Sequence, residues 1–352
     1  MSKHRGAAAT LATIACAFTL TACGVDSGSS GQDAESTVTV MTHDSWNAPE
    51  ELIEQFEKDS GFTVEIQAGG DAGEVTNKLI LSKDAPVADV VFGVDNTFAS
   101  RPIEEDVLEP YESPAQSERS KELALAGTSN ELTAIDFGDV CLNVDNEWFA
   151  ANGIVAPSSL EDLIKPEYKD LFVTPSAVTS SPGMAFFLAT VAKYGETGWQ
   201  DYWTALLANG AKITNGWTDA YSVDFSGGEG NGARPIVLSY ASSPPFTIPE
   251  GGSEPTTSAV LSTCFRQVEY AGIVKGADNV EGAQAFIDFI SGTEFQKSIP
   301  DNMYMYPASD VELPEAWATY APLSTEPLVI EPEKIAANRD AWLKEWADVT
   351  SS

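Results

Sequence analysis

A β-branched run, Thr37-Val38-Thr39-Val40-Met41-Thr42, leads into an amphipathic helical pattern from Pro49 to Ser60, a second strand pattern at Phe62–Ile66 and a helical stretch from Gly73 to Ser82. The apolar run Ala88-Asp89-Val90-Val91-Phe92-Gly93 follows. A strand apolar on both faces has to be covered on both, and strands separated by helices predict a parallel, doubly wound α/β sheet. A second set of strands is expected at Leu132–Ile135, Val140–Val144, Leu171–Val173, Ile236–Tyr240 and Gln267–Ile273. Helices are expected near Ser159–Leu163, Pro182–Lys193, Gly198–Leu207, Thr218–Asp224 and Val280–Ile290. The glycine-rich runs Ser226–Gly232 and Pro249–Ser253 read as flexible loops.

The chain starts with a cationic Lys3-His4-Arg5, an apolar stretch and Leu20-Thr21-Ala22-Cys23. This is a secretion signal, too short and too abruptly ended by small residues to span a bilayer comfortably. Its end resembles the bacterial lipobox, which implies removal of residues 1–22 and lipid modification of Cys23. Residues 23–35 are small and polar and read as a tether. Folding from Ser36 leaves about 315 residues, more than one ordinary core holds, so two lobes are expected.

With 53 acidic residues against 19 basic ones the net charge is −34, which repels nucleic acid and anionic lipid but suits a cationic ligand. Of four cysteines, Cys16 leaves with the signal and Cys23 anchors, so the exported fold keeps Cys141 and Cys264, a plausible disulfide in an oxidising compartment. Of two histidines only His43 survives cleavage, which removes most Ser-His-Asp, Cys-His and multi-histidine metal designs.

In an open α/β sheet the ligand sits beyond the carboxyl ends of the strands. The loops there are His43–Trp46, Gly69–Ala72, Gly93–Asn96, Thr179–Gly183 and Ser239–Pro244. Ser180 and Ser181 precede Pro182 at a helix start, where hydroxyls and free amides either cap the helix or hold an anion. Trp217, just before a helix, is placed either to stack on a flat heterocycle or to fill the core. Tyr240, Phe246 and Tyr304 carry the same two alternatives. Asp44, Asp71, Asp95 and Asp219 either face a cation or cap turns and helices.

The blocks Val38–Ser45, Ala88–Asn96, Gly216–Tyr221, Val237–Pro244 and Ile299–Pro307 together resemble the periplasmic thiamine-binding proteins, in the same order across nearly the whole exported chain. The resemblance implies a type II periplasmic-binding-protein fold, two doubly wound α/β lobes closing on thiamine or its phosphates. Lobe 1 would be residues 36–136 plus 263–308, and lobe 2 residues 137–262 plus 309–352. It also implies a monomer that carries out no catalysis, needs no cofactor or metal, hands its cargo to an ABC permease and its ATPase, and touches the membrane only through the lipid on Cys23. In the family the loop matching Asp71-Ala72 contacts the ligand, Ala72 standing where glycine is usual. The pair matching Ser180 and Ser181 lies at the hydroxyethyl or phosphate end, and the tryptophan matching Trp217 stacks on the ligand. The strand end matching Tyr240, Ala241, Ser242 and Ser243 lines the site. Tyr304 stands where tryptophan can occur, and Phe246 and His43 where tyrosine can; Asp44 completes the set. A ferric-iron binder of the same fold is the alternative, with Tyr304 and Tyr306 as its phenols. A secreted hydrolase would need paired carboxylates facing one cleft.

Overall fold

The computed structural model describes residues 36–351; the signal, the tether and Cys23 lie outside them. The strands are β1 (Thr37–Thr42), β2 (Thr63–Ala68), β3 (Val90–Asp95), β4 (Leu108–Glu109), β5 (Thr133–Asp145), β6 (Phe172–Pro175), β7 (Lys212–Thr214), β8 (Ile236–Tyr240), β9 (Thr257–Val274) and β10 (Tyr306–Pro307). The longer helices are α1 (Glu50–Ser60), α2 (Ala72–Leu81), α3 (Ser181–Tyr194), α4 (Trp199–Ala208), α5 (Val280–Ser291), α6 (Thr293–Met303) and α7 (Pro332–Thr350).

The strands join in the order β2-β1-β3-β9-β5-β8-β6-β7, with β4 beside β9 and β10 beside β5. Strand pairs β1–β2, β1–β3, β6–β7 and β6–β8 are parallel, as expected of strands separated by helices. The centre is different. There β5 and β9 run antiparallel along their length, from Thr133↔Ala271 to Asp145↔Thr257. The two strands expected at Leu132–Ile135 and Val140–Val144 are therefore one, buried along all 13 residues. Asp136, Gly138 and Asp139 interrupt its apolar pattern, yet Asp139 is neutralised by a two-point ion pair with its cross-strand neighbour Arg266.

Cores lie on either side of this crossing. On the β1–β3 side, Val75, Leu79, Leu108, Tyr270 and Trp317 pack on one sheet face. Val38, Phe56, Phe92, Phe286 and Ile287 pack on the other. On the β8–β6 side the core is aromatic, with Phe186, Phe187, Trp199, Trp203, Trp342 and Trp346 in one cluster. In α3 the first eleven residues are buried, so this helix is apolar all round and central. Helix α7 brings Trp342 and Trp346 to the same cluster, and Arg339 lies over the Phe98 ring at 4.7 Å.

Ser226–Gly232, expected to be a flexible gap, is a compact turn. Gly230 N donates to Ser222 O and Gly232 N to Phe225 O. Side chains at Gly228, Gly230 and Gly232 would collide with the backbone of Tyr221, Ser222 and Asp224, so glycine serves close approach here. Thr218–Asp224, expected as a helix, is a single π-helical turn over Asp219–Asp224.

Cys141 and Cys264, 123 positions apart, are joined by a disulfide where the β5–β9 register breaks. Val140 faces Phe265 but Leu142 faces Val260, so residues 261–264 of β9 bow out, and the bond ties that bow to β5. The Cys141→Ser/Cys264→Ser variant is expected to lose about 2–4 kcal/mol of unfolding free energy, because so long a loop is freed in the denatured chain. Urea unfolding of both proteins under oxidising conditions checks this; equal midpoints would contradict it.

Candidate functional site

Between the two core regions opens a cleft of ≈ 200 Å³. Of the residues expected to form a site, His43, Asp71, Ser181, Trp217, Tyr240 and Tyr304 line it. Asp44 lies beside them in an adjoining pocket shared by His43, Asp71 and Trp217.

Trp217 sits on the loop after β7. One indole face is covered by Tyr221, with ring centroids 4.9 Å apart and planes 12° from parallel, and Nε1 donates to Ser239 Oγ at 3.0 Å. Covered behind and fixed at its edge, the ring turns toward the cleft with little rotamer entropy left to lose. Its backbone N–H donates to Asp71 Oδ2 at 3.0 Å. Asp71 is the N-cap of α2, its Oδ1 accepting from Ala72 N at 2.7 Å, with Glu74 completing a capping box. Burial pushes the Asp71 carboxyl up from its ordinary value against the pull of the Trp217 and Ala72 amides and of His43. The two cleft walls also meet where Gly73 N donates to Thr179 O at 2.9 Å. Any side chain at Gly73 would strike that carbonyl, so this crossing needs glycine.

Opposite Trp217, Tyr304 caps α6 with φ 59°, a left-handed conformation unfavourable for a tyrosine. Ser242 Oγ donates to its carbonyl and Phe246 packs on its ring at 3.9 Å. These contacts hold the ring at the cleft. Phe246 is exposed on the outer side of that ring, and Ala72, Ser180, Ala241, Ser242 and Ser243 are buried; none of the six is among the lining residues. Ser243 Oγ shares a hydrogen bond with Ser239 Oγ and receives one from Tyr240 N. Ser180, the N-cap of α3, forms no side-chain cap bond. Its hydroxyl and that of Ser181 are buried without a well-formed partner, facing the carboxyls of Asp71 and Asp95.

The floor was not anticipated. Glu269, on β9, lines the cleft and sits 3.3 Å from His43 Nε2. Gln267 Nε2 donates to Glu269 Oε1 at 2.9 Å, and Tyr240 Oη donates to Gln267 Oε1 at 3.0 Å. Directly across the ladder is Asp136, fully buried, with no hydrogen-bond donor among the described residues on either carboxylate oxygen. Burial, then the charge of Glu269, drives the Asp136 carboxyl well above the ordinary range. Burial lowers the His43 imidazole, but Glu269, Asp71 and Asp44 outweigh it and raise it overall. Asp95 accepts from Thr97 and Phe98 through Oδ1, yet desolvation lifts it to about 7. Gln267 and Glu269, two apart among apolar neighbours on a buried strand, were the available signal, since such residues are seldom buried without a reason. Asn47, Asn302, Met303 and Met305 also line the cleft, the last three from within the Ile299–Pro307 block.

This is the anatomy of a binding cleft between two walls crossed by two strands. Residues 85–325 match the family of bacterial extracellular solute-binding proteins, and the chain belongs to that family. The fold is the type II periplasmic-binding-protein fold. The chain is 30% identical over 331 residues to the thiamine-binding periplasmic protein of Salmonella typhimurium, covering 90% of this chain and 94% of that one. A solved periplasmic thiamin binding protein superposes with a TM-score of 0.78 at 26% identity, over 90% of this chain and 96% of that one. The ferric binding protein from Campylobacter jejuni shares the fold, with a TM-score of 0.69 at 19% identity over 89% of this chain and 99% of that one.

Because Asp95 holds its proton in the fold up to about 7 but loses it near 3.8 when unfolded, the folded state binds more protons between those values. Its contribution to stability is therefore expected to fall as pH rises from about 4 to about 7 and to level off above. Unfolding free energies of the protein and of Asp95→Asn across that range check the sign. The difference between them should shift in favour of the variant as pH rises; a constant difference would contradict it.

Proposed function

We propose that this chain is the solute-binding component of an ABC importer and that its cargo is thiamine. The observation that carries the reading is the pairing, in one cleft, of an indole with one face free and a buried acidic floor. Thiamine has a flat aminopyrimidine and a permanently charged thiazolium. Trp217, Tyr240 and Tyr304 offer rings for stacking and cation–π attraction, worth about 0.5–2 kcal/mol each when desolvated. Asp71 and Glu269 supply the opposing charge, and the Ser181 hydroxyl a polar contact at one end.

In this reading the Cys23 lipid holds the protein at the outer face of the cell membrane, residues 23–35 give it reach, and a permease with its ATPase recognises the closed form. The lobes are residues 36–136 with 263–308, and 137–262 with 309–352. Packing of Ile335, Trp342 and Trp346 on the α3 core supports this, although Trp317 and Ala321 pack on the other side. An iron reading is less well served. Tyr306 is wedged between Phe137 and Trp317, at 5.5 and 4.8 Å, and does not join Tyr304 at the cleft.

Calorimetry of protein stripped of ligand by unfolding and refolding is expected to show tight thiamine binding, weakened at least about tenfold in Trp217→Ala, the loss of one desolvated stacking contact. Silence with thiamine and heat with Fe(III) would overturn the cargo and leave the fold.

A further inference from the structure

We propose that a cation entering the cleft displaces a proton that Asp136 holds against Glu269, so that capture of the cargo is coupled to proton release. The inference rests on the thiamine reading above and adds a linkage to it.

Asp136 and Glu269 stand directly opposite one another in the β5–β9 ladder, so their side chains leave the sheet on the same face. Both are buried. Each oxygen of Glu269 has a donor, Gln267 Nε2 at 2.9 Å on Oε1 and His43 Nε2 at 3.3 Å on Oε2. Ser45 N donates to His43 Nδ1 at 3.1 Å, which puts the proton of the neutral ring on Nε2, aimed at Glu269. Asp136 has no such help, since neither of its oxygens meets a donor among the described residues. A bare buried carboxylate is costly, and two neighbouring carboxyls cannot both ionise cheaply. In the empty cleft Asp136 therefore keeps its proton and Glu269 carries the charge. Burial and the charge of Glu269 both act on Asp136 in this direction.

Nothing else around the pair relieves it. Arg266, the one arginine of β9, is spent on Asp139 through two bonds. No residue lining the cleft is lysine or arginine. Tyr240 of β8 lies in the field of Glu269, of Asp71 from α2, of Asp95 from β3 and of Asp136 itself. His43, after β1, stands among Glu269, Asp71 and Asp44. Opposite Asp136 on its other side β10 places Pro307, and α6 sends Gln296 to the Ile135 carbonyl; neither residue titrates. Asp95 is the competing proton store, but its Oδ1 already accepts from Thr97 and Phe98.

Glu269 lines the cleft and Asp136 does not. A thiazolium seated against Glu269 offsets the charge that kept Asp136 protonated. The Asp136 O–H bond then breaks, its electron pair stays on the carboxylate, and the proton passes by way of Glu269 to water in the open cleft. One positive charge arrives and one leaves, so the floor with its cargo carries the same net charge as the empty floor. Because the empty form holds the proton more tightly, affinity rises with pH. The rise is up to about tenfold per pH unit for one whole proton, and it levels off once the empty pair has ionised.

The test is calorimetric titration of ligand-stripped protein with thiamine, from about pH 6 to about pH 8, in buffers of different ionisation heat, repeated with Asp136→Asn and Asp95→Asn. The dependence of the heat on the buffer counts the protons released. A release approaching about one proton is expected in the unaltered protein and in Asp95→Asn, falling close to zero in Asp136→Asn. Difference infrared spectra of the unaltered protein are expected to lose a protonated-carboxyl band when thiamine binds, a readout that does not require the Asp136 variant to fold. Heats independent of buffer, an unchanged carboxyl band, or a release that survives Asp136→Asn and vanishes in Asp95→Asn would overturn the proposal while leaving thiamine as cargo. Absence of thiamine binding at every pH would instead sink the cargo assignment, and the proposal with it.

Discussion

The antiparallel pairing of β5 with β9 is the constraint on which the rest depends. Both strands run through the sheet from one core to the other, so every element on the β8–β6–β7 side is joined to the β1–β3 side mainly through this ladder. Two devices fix it. The Asp139–Arg266 ion pair is two-pronged, and Asp139 is fully buried, so losing either partner would leave an uncompensated charge. The disulfide holds the register break where β9 bows out.

The same strands set the chemistry of the cleft floor. Asp136 and Glu269 are opposite one another in register, and apolar residues would be better neighbours for stability alone. Keeping two carboxylates, a histidine, a glutamine and a tyrosine connected beneath the cleft opposes folding, and sites bound for function are where such costs are retained. The strained backbone at Tyr304 belongs to the same pattern: Ser242 and Phe246 hold a ring in a conformation it would not adopt unaided.

Much of this was legible in the sequence. Alternating strands and helices up to Val94 show as changes of period, and the aromatic positions Trp217, Tyr240 and Tyr304 stand on loops where a ligand belongs. The continuity of β5 was hidden because Asp136, Gly138 and Asp139 mimic a turn, and only cross-strand partners make them acceptable inside a sheet. Helix α7 was there to be read, since Ile335, Trp342 and Trp346 fall seven and four apart, a helical stripe. Glu269 could be noticed as a charge in an apolar strand, but its link to His43 spans 226 positions and no local pattern encodes it. Ser180, Ala241, Ser242 and Ser243 sit in the right neighbourhood but are buried beside the cleft, and Phe246 faces solvent, a distinction that depends on side-chain direction and not on chain position.

The cross-cleft bonds bear on time as well as affinity. Asp71 to Trp217 N and Gly73 N to Thr179 O connect the two walls directly, without any contribution from a bound molecule. A molecule held between walls joined in this way would have its residence governed by how often the walls part.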